Sequence, residues 1–309
     1  MTTRVLGIGA TLIDELYFTT SVLVPHSSNP AQKTTHIGGV IHNIMYQLAL
    51  LGVKPGLITA IGNDAEGQTI KAHFDQIQID HAGVLQADAS TGKYVSVLDE
   101  MGNLFVAVCE DNCGKHLTVA YVESLLNYMK TFDLLLIDTN LETEVIQWLI
   151  HFANTNQKLL IIEPVSVTKA KKLATLDLTG VYMITPNEEE LEALGSDEDA
   201  SQEEQIAALL RRGVSNLWLR QGAQGSTWIT NTSRFSLRVP TINISDTTGA
   251  GDAALAGWVY GFMQGEDATT CLQLGHSLAL HILQQKGAVD PSLDATTLQH
   301  LKKKYYHDE

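Results

Sequence analysis

Short apolar runs alternate with stretches of helical periodicity along almost the whole chain, and this alternation narrows the possible folds more than any other feature. Residues 5–10, 54–61, 133–138, 159–163, 181–184 and 216–219 read as strands, several of them apolar at nearly every position. Residues 43–51, 68–76, 144–154, 188–194, 202–211 and 253–263 carry apolar side chains at helical spacing, some of them closed by glycine. Strands that are apolar on both sides are buried on both faces, and connecting helices of this length imply parallel pairing. The expectation is an α/β fold with a central, mostly parallel sheet flanked by helices.

Two segments break the rhythm. Residues 15–37 and 93–108 are rich in branched and aromatic side chains and read as strands without intervening helices. They predict a small β-sheet lid built from two insertions; a pair of hairpins on the edge of the main sheet is the alternative. No internal repeat or linker-like stretch divides the 309 residues, so residues 1–309 are expected to form one domain.

The formal charge of −15 argues against a nucleic-acid partner, because a phosphate polyanion needs a basic footprint. Lys169, Lys171 and Lys172, and Lys302 to Lys304 near the C-terminus, read as solvated helix faces. No stretch approaches the roughly 18–20 apolar residues that cross a bilayer, and Met1 to Arg4 lead into no secretory pattern. A soluble, cytoplasmic protein is expected. Cys109, Cys113 and Cys271 complete no zinc pattern and read as buried or incidental thiols. Trp148, Trp218, Trp228 and Trp258 sit among apolar neighbours and read as core, and the eleven histidines show no metal spacing.

The chemistry concentrates in Asp246-Thr247-Thr248-Gly249-Ala250-Gly251-Asp252, directly before an apolar helical stretch. Glycines at 249 and 251 let the backbone approach a ligand closely. Their amides open a helix, whose N-terminus favours negative charge, so the loop suits a phosphoryl group in transfer. Asp252 is then placed to accept a proton from an attacking hydroxyl, or else merely caps the helix. Two other glycine runs carry less. Gly62 to Thr69 has P-loop spacing with Gln68 in the lysine position, and Gly7-Ile8-Gly9 lacks the third dinucleotide-binding glycine. The acidic runs at 188–192 and 197–199 read as solvated helix faces, apart from Glu190.

The seven-residue run resembles the second signature of the ribokinase-like (PfkB) carbohydrate kinases, and the resemblance extends over nearly the whole chain. It implies that Asp252 is the catalytic base and that Gly249, Ala250 and Gly251 form the anion hole. Gly38, Gly39 and Asn43 match the first signature, which contacts the sugar. Asp14 matches an aspartate that binds sugar hydroxyls, and one carboxylate can accept from two vicinal hydroxyls. Asn187 and Glu190 match the Asn-x-x-Glu motif that helps hold Mg²⁺ and phosphate, with Glu190 reaching the metal directly or through water. Gly222 and Gly225 resemble a turn beside the nucleotide, and Gly287 with Ala288 the C-terminal nucleotide segment. Asp246 and the Thr248 carbonyl would be the nearest ligands of a monovalent cation such as K⁺. ATP and Mg²⁺ are the implied cofactors, a small sugar or nucleoside the partner, and a homodimer through the lids the implied assembly.

Within that family, residues 28–30, 38–43, 91–103 and 163–169 resemble the pseudouridine kinases. The acceptor this implies is the 5′-hydroxyl of a C-glycosidic nucleoside. Ser28, Asn29, Thr91, Tyr94 and Lys169 become candidates for base recognition, with ribose, fructose or another nucleoside as alternative acceptors. A non-catalytic nucleoside sensor is the reading from a different class. The chain also departs from the pattern. Ile41-His42 stands where Ala-Arg is usual, Glu163 where Asp is usual, and Asp290 where Asn is common. Arg220-Gln221 replaces a small or aliphatic pair, so Arg220 either faces the phosphates or is a solvent-side cation. His42 is either a pH-dependent polar contact or a surface histidine.

Overall fold

A computed structural model of the chain describes residues 3–195 and 200–306. The expectations placed on Met1, Thr2 and positions 197–199 lie outside the described residues. In chain order the strands are β1 (Val5–Ile8), β2 (Leu12–Thr19), β3 (Ala31–Gly38), β4 (Gly56–Ile58), β5 (Ala60–Gly62), β6 (Leu85–Ala87) and β7 (Lys93–Leu98). They continue with β8 (Leu104–Glu110), β9 (Leu134–Asp138), β10 (Leu159–Glu163), β11 (Met183–Ile184), β12 (Asn216–Arg220), β13 (Ser226–Thr230) and β14 (Arg234–Leu237).

Among the described residues eight strands form the main sheet, in the order β14-β13-β12-β11-β10-β9-β1-β4. Pairing is parallel from β4 through β12, and β13 and β14 add an antiparallel edge. Strand alternation splits the apolar side chains into two cores. In β9, Leu135 and Ile137 join one core, while Leu134 and Leu136 join the other with Trp218, Trp228 and Trp258. Trp148 differs from expectation: it is only partly buried and donates its Nε1–H to Glu123 at 3.0 Å. Cys113 and Cys271 are buried free thiols, and Cys109 is an exposed one. Among the described residues no helix is long and apolar enough to cross a membrane.

Residues 54–61 do not form one strand. The chain leaves the main sheet after Ile58, and β5 pairs with β6 in a separate two-stranded sheet. The first expected helix begins three residues early, as Val40–Leu50, because Gly39 adopts φ 100° as its N-cap. Likewise the helix after the glycine cluster starts at Ala250, capped by Gly249 at φ 74°.

The strand-rich segments form a sheet of their own, in the order β3-β2-β7-β8, rather than hairpins on the main edge. Its central pair, β2 and β7, is parallel and joins segments roughly eighty residues apart. Cross-strand register puts His36, Asp14, Tyr94 and Cys109 in one row on the same face. On the last strand Leu104, Phe105, Val106 and Val108 are exposed.

Asp64 ties this sheet to the body. Its carboxylate caps the Ala65–Gln76 helix by accepting from Gly67 N–H at 2.8 Å. The same carboxylate accepts from Thr91 N–H at 2.7 Å and Thr91 Oγ1 at 2.5 Å, just before β7. Lys93 then pairs with Glu66 of that helix at 2.7 Å and with Glu15 of β2 at 3.7 Å. Replacing Asp64 by Ala is expected to cost ~1–2 kcal/mol, the usual worth of a cap, read by denaturant titration. Burial pushes the Asp64 carboxyl up, but the bonds from Thr91 and Gly67 outweigh this and hold it below its ordinary value. Its contribution is therefore present above the unfolded carboxyl pKa and lost as pH falls through the folded one, so the gap between wild type and Asp64→Ala should close on acidification.

Candidate active site

Parallel strands deliver their carboxyl ends to one edge of a sheet, and ligands bind where neighbouring connections diverge. Here β1 is flanked by β4 on one side and β9 on the other. The ends of β9, β10 and β12 bring Asp138, Glu163 and Arg220 to this edge. The Val40–Leu50, Glu188–Leu194 and Ala250–Met263 helices open beside them.

Asp252 lies in the first turn of the Ala250–Met263 helix. Its N-cap, Gly249, is in the left-handed region, and a Cβ there would stand 2.5 Å from the Ala288 Cα. Only glycine allows both the conformation and the approach. The first full helical bond runs from Ala253 N–H to the Gly249 carbonyl at 2.8 Å. The Ala250 amide reaches Thr247 only at 3.4 Å, and those of Gly251 and Asp252 have no partner among the described residues. Two amides are thus left unpaired at the helix mouth, with that of Ala250 held only weakly.

The Asp252 side chain does not cap its helix. Its Oδ2 accepts from Asn43 Nδ2 at 2.8 Å, across from the neighbouring helix. Burial pushes its carboxyl up to about 7; the Asn43 bond and Arg220 oppose this, while Glu163 and Asp138 reinforce it. The group is poised to change protonation near neutrality.

Arg220 is the principal cation of this floor. It bonds Glu163 at 2.7 Å, lies 3.6 Å from Glu190, and places Nη1 2.8 Å from where a Cβ on Gly251 would be. It is therefore an interior cation beside the Gly251 backbone and not a solvent-side one. Burial disfavours its charge, but Glu163 and Glu190 more than compensate. Glu163 also accepts from Thr185 Oγ1. Two residues after it, Val165 holds φ 68°, a strained conformation for a β-branched residue and one that accumulates at functional sites. Asn187 and Glu190 form a reciprocal capping box, with Glu190 N–H to Asn187 Oδ1 at 2.8 Å and Asn187 N–H to Glu190 Oε2 at 2.9 Å. Glu190 is buried, and the other acids of the run, Glu188, Glu189 and Glu192, are exposed as expected.

On the opposite wall Asp14 leans against the Gly38 backbone, where a Cβ would fall 2.0 Å from its Oδ2. Its carboxylate has no hydrogen-bond partner among the described residues, and burial pushes its pKa up to about 6. A half-buried carboxylate left unpaired is a ready acceptor for ligand hydroxyls. Gly39 follows as the N-cap of the Val40–Leu50 helix, and Asn43 stands at that helix's fourth position. Two residues not singled out from the sequence complete this wall. Asp138 is fully buried, and its Oδ2 accepts from Ala10 N–H at 3.2 Å and Asn140 Nδ2 at 2.8 Å. Asn140 Oδ1 accepts in turn from Lys169 Nζ, whose charge also acts on Cys109 of the small sheet. The signal for both was their position at the carboxyl end of an apolar strand.

The other expected contacts divide. Tyr94 stands between Asp14 and Cys109 in the row across the small sheet. The Thr91 hydroxyl is buried and engaged by Asp64 and by Gly62 N–H, so it is not free for a ligand. Asn29 spends its side chain on Val24 and Ser27, folding the loop between β2 and β3, and Ser28 is exposed in that loop. Gly225 is required by packing: a Cβ would meet the Leu237 carbonyl at 2.0 Å. Gly222 and Gly287 have open space on that side. Asp246 accepts from Thr248 N–H at 2.9 Å and Gly287 N–H at 3.0 Å, fastening the glycine loop to the Gly287-Ala288 segment. Asp290 pairs with His281 at 2.7 Å. His42 is neither at the surface nor pH-responsive near neutrality: it is buried, and burial pushes its pKa down to about 3.

Residues 2–295 match the model of the pfkB family carbohydrate kinases. The pseudouridine kinase of Escherichia coli K12 is 30% identical over 265 residues, covering 82% of this chain and 83% of its own length. The ribokinase of Haemophilus influenzae is 24% identical over 278 residues, 86% of this chain and 89% of its own. Among solved structures, Arabidopsis thaliana ribokinase complexed with ribose and ATP aligns with a TM-score of 0.85 at 19% identity, over 98% of this chain and 99% of that one. With its family signatures assembled around one crevice in a ribokinase-like fold, the chain belongs to the pfkB family of carbohydrate kinases.

Proposed function

We propose that this kinase transfers the γ-phosphate of ATP to a hydroxyl of a small sugar or nucleoside, and that the 5′-hydroxyl of pseudouridine is the acceptor. The observation that carries the reading is Asp252: a half-buried carboxyl, poised near neutrality, in a helical turn where the Gly251 and Asp252 amides have no partner among the described residues. In this mechanism Asp14 accepts hydroxyls of the acceptor and orients it. Asp252 takes the proton of the attacking hydroxyl as its oxygen bonds to the γ-phosphorus, while the bond from that phosphorus to the bridging oxygen breaks and ADP leaves with the electron pair. The amides of Ala250, Gly251 and Asp252, with Arg220 beside them, hold the charge that builds on the transferring group. Mg²⁺, when bound, supplies neutralising charge between the phosphates. One oxygen of Glu190 is taken up by the capping box, which suits contact with the metal through water. Asp246 and the Thr248 carbonyl are the residues proposed for K⁺, and Gly222, Gly225, Asn187 and Gly287-Ala288 for the nucleotide side.

Pseudouridine is favoured over ribose or fructose by the 30% identity to a pseudouridine kinase and by the Asp138-Asn140-Lys169 network. Lys169 lies close enough to the small sheet for its charge to act on Cys109, and the network that holds it is proposed to present that cation to a base. The sensor reading is disfavoured because simple binding has no use for an acid poised at Asp252. The small sheet is proposed to close over the acceptor and exclude water. A second copy is proposed to cover the exposed side chains of its last strand, giving a homodimer.

Asp252→Asn should lower turnover by about 10² to 10⁴. The base works deprotonated, so kcat/KM of the wild type should rise with pH through about 7. Retained turnover in Asp252→Asn would remove Asp252 from the mechanism. A coupled ADP-release screen over pseudouridine, uridine, adenosine, inosine, ribose and fructose should rank pseudouridine first, and another leading acceptor would replace it. Val108→Glu should shift the molar mass from dimer to monomer in light scattering after gel filtration.

A further inference from the structure

His42 stands where the matched pattern carries a different residue, and its surroundings give it one polar outlet. The imidazole is almost completely buried among Tyr46, His73 and Phe74, with ring centroids 5.9, 5.3 and 6.1 Å away. Among the described residues its Nε2 has no partner, and neither does Nε2 of His73. Its Nδ1 lies 3.2 Å from Oδ1 of Asn43, whose Nδ2 donates to Asp252 at 2.8 Å. If this position served packing alone, an apolar ring would fill it without burying two nitrogens.

We infer that His42 is a positioning residue for the proposed base: its Nδ1–H donates to Oδ1 of Asn43 and fixes which end of that amide faces Asp252. An amide oxygen can only accept, so the proton of this neutral imidazole sits on Nδ1. The chain of bonds then runs one way, from His42 to Asn43 to the carboxylate. An Asn43 turned end for end would present its oxygen to Asp252, an arrangement that suits the protonated acid and repels the ionised one. By disfavouring the turned amide, His42 favours the ionised, working form of the base. The device does not itself titrate in the working range, because burial and His73 keep the imidazole neutral. The other groups that bear on Asp252 are Asp138 from β9, Glu163 from β10 and Arg220 from β12. On the far side of His42 stand His73 from the Ala65–Gln76 helix and, on its own helix, Tyr46.

The inference rests on Asp252 being the base, and the test separates the two ideas. With Mg·ATP and pseudouridine, or the acceptor that leads the screen, kcat/KM is measured from pH 5.5 to 9. His42→Phe should move the midpoint of the acid limb upward by about one unit, a loss of about tenfold below it that vanishes at high pH. His42→Asn, whose Nδ2 stands near the position of the imidazole Nδ1, should restore the wild-type limb. A uniform loss across the range, or an unmoved midpoint, overturns the positioning role. Should His42→Phe prove unfolded at the assay temperature, His42→Asn is compared with His42→Gln, whose amide reaches the Nε2 position instead. A wild-type limb in the first and a raised limb in the second supports the inference, and identical limbs overturn it. Asp252→Asn is run in parallel: if it is inactive while His42→Phe leaves the midpoint unmoved, only the positioning role fails, whereas an active Asp252→Asn removes the base itself.

Discussion

The floor of this site is an excess of buried negative charge held together by the Arg220 guanidinium. Glu163 and Glu190 touch it directly, and Asp252 lies within reach of its field. Removing one partner of such a buried cluster leaves the others uncompensated, at a cost of about 3–5 kcal/mol. The compensation is also incomplete, because burial and the remaining carboxylates still lift Asp252 toward neutrality. A stronger cation, or one nearer to Asp252, would lock the group as a weakly basic carboxylate. A weaker one would leave it protonated and idle.

The sheet explains how distant parts of the chain meet at this point. Parallel pairing puts the ends of β9, β10 and β12 on the same edge, so Asp138, Glu163 and Arg220 become neighbours through topology alone. Helices opening at that edge contribute Asn43 and the Gly251 and Asp252 amides without needing side-chain charge. An acidic protein can in this way build a receptive site for phosphate from backbone dipoles and a few cations.

Much of this was legible in the sequence, for physical reasons that differ by residue. Strands such as 133–138 declared themselves because a strand covered on both faces has no need of polar positions. The glycine run before Asp252 was readable because few backbones other than a close-approach loop require that spacing. Lys169 was a candidate from the sequence, but its partners Asp138 and Asn140 stayed hidden, since they are ordinary polar residues that acquire meaning only when two strand ends and a short helix converge. His42 was misjudged for the same reason: one helical position cannot reveal that the Ala65–Gln76 helix will close over it. Asn29 was a ligand candidate although its own loop claims its side chain, and Thr91 was one although Asp64 and the Gly62 N–H, nearly thirty residues away, engage its hydroxyl.

The parallel pairing of β2 with β7 has a consequence for how the molecule reaches its working state. These strands cannot meet by local zippering, because a crossover of some eighty residues must close between them. The helix and sheet units lying in that interval have contacts of shorter range and can organise first. Asp14 can reach its place beside Gly38 early, through the local β2–β3 pairing, whereas Tyr94 joins it in the row only when β7 docks. A chain released from its ribosome could thus hold Asp14 in position well before the far half of the small sheet closed beside it.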